Sequence, residues 1–419
     1  HRKPLIIRGA RQVGKTWIMK TFGQQYFEKT AYVNFDNNAR MKQVFEGDLD
    51  IERLVLSISA ETGVSIEAEN TLIIFDEVQE VPKALTSLKY FYENAPQYAI
   101  VAAGSLLGVA LHQGTSFPVG KVDFLDLYPL NFREFLCAMG EKQFVSMLDS
   151  CDTQMVTVFK TKYIERLREY YFVGGMPEVV KDFSEKKDYN RVRAIQKNLI
   201  NYYQQDFSKH AEIKLVPRLN LVWNSIPMQL AKENKKYIYG QVREGSRAKD
   251  FELAIQWLLD CGLIHKVQRI QKPDLPLKAY IDFDAFKLFL VDIGLLIAMT
   301  DLDAKVIIEG NKIFTEFKGA LTEQYILQQL ISDVGVIPYY YSTQNSKGEI
   351  DFLVQGKTSV IPIEVKAEEN LKAKSLKAFC EKYQPSYAVR TSMSDYREQD
   401  WMTNIPLYAV KWIKNYVNQ

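Results

Sequence analysis

Over roughly the first 150 residues, short apolar runs alternate with helix-like stretches. The runs are PLIIR (Pro4 to Arg8), TAYVNF (Thr30 to Phe35), TLIIFD (Thr71 to Asp76) and YAIVAAGS (Tyr98 to Ser105). Near-continuous apolar runs of this length mark strands buried on both faces, and strands that alternate with helices argue for a parallel sheet. The alternation ends near VDFLDLYPLNFREFL (Val122 to Leu136), and a ligand is expected at the carboxyl ends of the strands. From 151 to 213 the pattern turns helical, broken by FVGGMPE (Phe172 to Glu178), whose glycines and proline predict a turn between helices. A helical lid or linker is the expectation for this segment.

Residues 214–305 change character again. VPRLNLVWNSIPMQLAKEN (Val216 to Asn234) and SRAKDFELAIQWLLDCG (Ser246 to Gly262) are helix-like. In the second, Phe251, Ile255, Leu258 and Gly262 keep helical spacing, with Arg247, Lys249 and Glu252 outside. The strand-like runs LIHKVQRI (Leu263 to Ile270) and LKAYIDF (Leu277 to Phe283) follow. Helices followed by a β-hairpin describe a winged helix, a variant of the helix-turn-helix. The remaining segment, 306–419, holds two further strand-like runs, KGEIDFLV (Lys347 to Val354) and VIPIEVKAE (Val360 to Glu368). The expected fold is therefore multidomain α/β: a parallel-sheet domain (1–150), a helical lid (151–213), a winged helix (214–305) and a C-terminal α/β domain (306–419).

Chemistry enters with GARQVGKT, Gly9 to Thr16, directly after the first strand. Its spacing is that of a P-loop. Gly9 and Gly14 let the backbone of Gly9, Ala10, Arg11, Gln12, Val13 and Gly14 turn its N–H groups toward an anion at the start of the next helix. Lys15 would reach the β- and γ-phosphates and Thr16 would ligate Mg2+. TLIIFDEVQ ends its strand in two acids, Asp76 suited to an outer-shell hold on Mg2+ and Glu77 to polarising the attacking water. Ser105, at the end of the fourth strand, is placed for a polar sensor of the γ-phosphate. With no Asn-Lys-x-Asp motif in the chain, ATP is expected rather than GTP.

In the C-terminal segment, strict alternation puts Glu349 and Asp351 on one strand face, and Ile350, Phe352 and Val354 on the other. Glu364 and Lys366 share the polar face of the next strand, joined by a turn at Gly356, so Asp351 could lie beside them. Asp with Glu-x-Lys suits metal-dependent phosphodiester cleavage: Asp351 and Glu364 hold magnesium while Lys366 acts on the water. Glu323, in FKGALTEQYILQQL, could add a carboxylate. A polar hairpin face with cross-strand ion pairs is the competing reading.

Composition narrows the partners. The 419 residues are 47% hydrophobic and 25% charged, with net charge +2, so any contact with nucleic acid must be a local patch. Such a patch lies between Lys232 and Lys249, with six basic residues against two acidic, and fits either DNA or a protein partner. Four dispersed cysteines (Cys137, Cys151, Cys261, Cys380) lack metal spacing and point to reduced thiols in a cytoplasm. The longest apolar stretch, Phe286 to Met299, is short and carries Lys287 and Asp292, so no membrane span is expected.

Together GARQVGKT, IIFDEVQ, AAGS, YPLNFREFL, YYFVGGMPEVV and RAKDFELAIQWLLDCGLIHKV resemble, over nearly the whole chain, a family of bacterial and archaeal AAA-type ATPases. The C-terminal half of that family is a domain of unknown function. The resemblance implies ATP binding by Lys15 and Thr16, with Asp76 and Glu77 in hydrolysis. It also implies a winged helix in the middle and a restriction-endonuclease-like fold at the C-terminus. The segment before the first strand, which helps hold the base in many such ATPases, is not in this sequence. Arg133 in NFREF is either a finger reaching a neighbouring subunit or a structural ion pair.

Overall fold

A computed structural model of the chain describes residues 2–104, 120–232, 235–309, 315–343, 348–368 and 373–419. Ser105 and Lys347 lie outside the described residues. The chain divides into two compact units, 1–128 with 256–263, and 129–255 with 264–419.

The first unit is a five-stranded parallel sheet. Its strands are β1 (Leu5–Arg8), β2 (Lys29–Asn34), β3 (Thr71–Asp76), β4 (Ala99–Ala103) and β5 (Asp123–Asp126), in the spatial order β2-β3-β4-β1-β5. β4 thus stands between the strand that leads into GARQVGKT and the strand that ends in Asp76. Every residue of β3 is buried. Its alternate side chains enter different cores, Ile73 and Phe75 one and Leu72 and Ile74 the other. The first core is closed by α2 (Ala39–Glu46), α3 (Ile51–Thr62) and α4 (Pro82–Asn94) through Phe45, Ile58 and Phe91. Phe35, Phe45 and Phe75 meet edge to face there, with ring centres 5.4–5.7 Å apart. Burying each ring stabilises the sheet by about 2–3 kcal/mol. Met19 of α1 (Lys15–Tyr26) joins the second core.

In the second unit, eight strands form one mixed sheet in the order β12-β13-β11-β10-β9-β8-β6-β7. β6 (Ile264–Ile270) and β7 (Ile281–Leu290) are the hairpin read from sequence as the wing. They follow the helices Val216–Leu230, Tyr239–Val242 and Ala248–Asp260. β6 also pairs in parallel with β8 (Tyr339–Ser342), so the hairpin is an edge of the sheet completed by 339–406. The other strands are β9 (Glu349–Gln355), β10 (Val360–Val365), β11 (Val389–Ser392), β12 (Arg397–Gln399) and β13 (Met402–Pro406). FVGGMPE makes the expected turn, between helices Lys160–Val173 and Pro177–Lys186. There the Gly175 N–H donates to the buried Asp292 carboxylate at 2.6 Å. Gln324, Gln328 and Gln329 of the helix Thr315–Gln329 satisfy backbone groups of Leu290, Ile293 and Phe132. Among the described residues no helix is long and apolar enough to cross a membrane.

Candidate nucleotide site

The carboxyl ends of β1, β3 and β4 converge in the first unit, and the predicted loop lies there. Gly9 takes φ +146°, and a Cβ on it would sit 2.2 Å from the Leu127 carbonyl oxygen. Gly14 takes φ +96° as the residue before α1. Both positions exclude a side chain on backbone grounds. Lys15 is buried, and its ammonium donates to the carbonyls of Gly9 (2.9 Å) and Ala10 (2.7 Å). Burial pulls its pKa down to about 8, against the opposing pull of Glu77 and Asp76.

Thr16 Oγ1 donates to Asp76 Oδ2 at 2.7 Å, joining the loop to the end of β3. The same carboxylate oxygen accepts from Tyr32 Oη at 2.9 Å. The other oxygen, Asp76 Oδ1, accepts from the Glu77 N–H. Glu77 follows in the left-handed region (φ +50°), which turns the chain at the end of the strand. Gln79 Nε2 donates to Glu77 Oε2 at 2.6 Å. A Cβ on Gly104 would lie 2.3 Å from Gln79 Oε1, so a side chain there would make that amide shift. Hydroxyl and carboxylate oxygens with no nitrogen or sulfur ligand suit a hard divalent cation, and the Thr16–Asp76 pair fits Mg2+.

Tyr32 and Gln79 carry no sequence motif. Tyr32 sits in an ordinary strand, and only the pairing of β2 with β3 brings its hydroxyl to Asp76. Gln79 stands two residues after Glu77 in IIFDEVQ, and that short spacing was a usable signal. Gly262, counted in the buried helical stripe, lies beyond the end of its helix with φ +69°, and a Cβ there would lie 3.2 Å from the Ala10 nitrogen.

The C-terminal residues are arranged differently from the alternation argument. Tyr341 pairs with Ile350 and Tyr339 with Leu353, so Asp351 and Phe352 together stand opposite the single Tyr340. This β-bulge breaks the alternation, and Ile350 and Leu353 enter the same core. Asp351 thereby joins a different group of charges from Glu364 and Lys366. Its Oδ2 accepts the Val365 N–H at 2.7 Å, and it is set among Glu323, Lys287, Lys235 and Glu349. Burial, reinforced by Glu323, raises its pKa to about 7. Glu323 is itself ion-paired to Lys235 at 2.5 Å and to the fully buried Lys287 at 3.6 Å, and Lys287 also pairs with Glu349. Glu364, buried, pairs with Lys366 at 2.7 Å and stands beside Arg390 of β11. Among the described residues no group of three His, Cys, Asp or Glu side chains is arranged to hold a metal ion.

Two other expectations about cations are decided here. Arg133 pairs with Asp333 at 2.9 Å and with Asp149, an ion-pair network within the second unit. Lys235 of the predicted basic patch is taken up by Glu323, whereas Arg243, Arg247 and Lys249 are exposed.

An AAA domain matches residues 1–136, and domains of unknown function match 164–306 (DUF8612) and 318–410 (DUF4143). Residues 1–136 are thus similar to an AAA domain and residues 318–410 to DUF4143. No curated protein matches. Among solved structures, the Walker-type ATPase PABY2304 of Pyrococcus abyssi is similar at 14% identity, over 71% of this chain and 91% of that one, with a TM-score of 0.44. Drosophila ORC bound to DNA is similar at 13% identity, over 69% and 86%, with a TM-score of 0.26. Cdc6p from Pyrobaculum aerophilum is similar at 10% identity, over 72% and 88%, with a TM-score of 0.24.

Proposed function

We propose that this chain binds ATP with Mg2+ at Gly9–Thr16 and hydrolyses it. The observation that carries the reading is the 2.7 Å contact between Thr16 and Asp76, made beside a buried Lys15 whose ammonium donates to loop carbonyls. An ammonium held by neutral acceptors gains by exchanging them for phosphate oxygens. Mg2+, when bound, would supply charge neutralisation between the phosphates. Thr16 would hold it directly and Asp76 through water, with Tyr32 fixing the Asp76 carboxylate. Glu77, held by Gln79, would accept hydrogen bonds from the attacking water and orient it toward the γ-phosphate. Ser105 is proposed as the polar sensor of that phosphate.

The test is nucleotide binding and ATP turnover by the full chain. Lys15→Ala is expected to lose tight binding. Glu77→Gln is expected to keep ADP affinity while turnover falls about 10²- to 10⁴-fold, the range of a lost general base. Wild-type turnover in Glu77→Gln would remove Glu77 from the mechanism. Arg243, Arg247 and Lys249 are the exposed cations proposed to meet DNA. Turnover is therefore to be measured with and without single- and double-stranded DNA, and a rate indifferent to both favours a protein partner.

A second reading concerns the C-terminal domain, proposed here as restriction-endonuclease-like in fold but without cleavage. Lys235 and Lys287 occupy the charge of Glu323, the Glu349 carboxylate is also paired, and Asp351 is set among these charges while Glu364 pairs with Lys366. Incubation of linear, nicked and single-stranded DNA with Mg2+ or Mn2+ is expected to leave it intact. Cleavage that disappears in Lys366→Ala would overturn this.

A further inference from the structure

Three consecutive residues open α1, and each meets a different environment. Lys15 turns into the loop carbonyls, Thr16 turns to Asp76, and Trp17 stands 70% exposed. Successive helical residues are about 100° apart, so these three divide the circumference of the first turn among the loop side, the β3 side and the solvent side. If phosphates take the first two, as the proposed function requires, the nucleoside must leave the cradle past the third. Trp17 is the residue there.

Its ring is unlike the other exposed aromatics on the helix. Phe22 and Tyr26 lie against each other with centres 4.9 Å apart, and Phe22 also meets Phe27. Trp17 has neither a ring contact nor a hydrogen-bond partner among the described residues. Tryptophan is no better a helix former than the lysine or glutamate that normally fills such a position, so local structure gives no reason for it. A large, uncovered π-face within one helical turn of a phosphate cradle is a platform for a base.

We propose that Trp17 stacks on the purine ring of the bound nucleotide, supplying the nucleoside half of a site whose phosphate half is Gly9–Thr16. The proposal rests on the ATP reading above. Stacking uses the face of the ring and not its hydrogen-bonding edge, so Trp17 contributes affinity for purine nucleotides in general. Edge contacts would have to choose adenine over guanine.

The experiment is calorimetric titration of the full chain with ADP, GDP and inorganic tripolyphosphate, for the wild type, Trp17→Ala and Trp17→Phe. Trp17→Ala is expected to weaken ADP and GDP alike by about 5- to 150-fold, the range of one base–aromatic stack. Tripolyphosphate, which has no base, is expected to bind within about twofold of wild type, and Trp17→Phe to recover most of the loss. In the wild type, ADP is expected to shield indole fluorescence from acrylamide, because Trp223, Trp257 and Trp412 are already buried and Trp401 is partly buried, and Trp17→Ala is expected to remove that shielding. Unchanged ADP affinity in Trp17→Ala overturns the proposal. So does an equal loss of ADP and tripolyphosphate, which would mean that the indole supports the loop and not the base. A wild-type protein that binds tripolyphosphate but no nucleotide also overturns it. One that binds none of the three removes the ATP reading beneath it.

Discussion

Two acidic clusters in this chain have similar residues and opposite fates. At the end of β3, Asp76 accepts from a hydroxyl and a phenol and Glu77 from an amide, beside the Lys15 ammonium. In the second unit, Glu323 and Glu349 are paired with Lys235 and Lys287, cations of the same chain. The first cluster stands beside Lys15, whose ammonium donates to the carbonyls of Gly9 and Ala10. The second has already spent its charge internally, and counting Lys235 and Lys287 against Glu323, Glu349 and Asp351 leaves one acid without a cation. That acid is Asp351, whose pKa is raised to about 7. The two clusters differ in the donors that meet their acids, not in which acids are present.

The contrast is broken most forcefully by removing the internal cation. Lys287 is fully inaccessible to water and lies over the Tyr340 ring at 4.8 Å. Lys287→Met should cost about 3–5 kcal/mol in denaturant unfolding, because it strands buried carboxylates without a partner. Asp351→Asn should stay within about 1 kcal/mol near neutral pH, since the amide oxygen can still accept the Val365 N–H. Its effect has a sign. A carboxyl raised to about 7 holds a proton in the folded chain that the unfolded chain releases from about pH 4 upward, so its contribution to stability declines as pH rises from about 4 to 7. Asparagine should flatten that decline. A Lys287→Met protein as stable as wild type would show that the second cluster does not depend on its own lysines.

A smaller effect sharpens the other half of the comparison. Burial holds Lys15 near 8, and phosphate selects its charged form. Above about pH 8, binding must take up a proton, so ADP affinity should fall by up to tenfold per pH unit and level off below about pH 7. Titration from about pH 6.5 to 9.5 reads this directly. Lys15→Arg, which cannot deprotonate in that range, should bind with no such slope, whatever its absolute affinity. A wild-type profile flat to about pH 9.5 would mean that the ammonium is not held in the buried state seen here.

Legibility tracked distance along the chain. GARQVGKT could be read whole because a P-loop is a local object, eight consecutive residues whose glycines decide the backbone and whose next two side chains follow from it. Asp76 was legible for a related reason: an all-apolar run must be a buried strand, and its first acid must mark the end. Lys287 was visible only as a charge interrupting an apolar stretch, although a lysine in such a run already demanded a buried carboxylate.

Sequence alone determined the GARQVGKT turn and the two acids that end β3, because each depends on neighbours within a few residues. Tertiary structure alone decided that Tyr32 and Gln79 hold those acids, and that Lys235 and Lys287 claim Glu323 and Glu349. It also decided that a bulge between β8 and β9 sets Asp351 among Glu323, Lys287 and Lys235. Strand side chains repeat every two residues, so a single extra residue reverses a face. Ion pairs between residues 62 and 88 positions apart leave no periodicity in the chain that makes them.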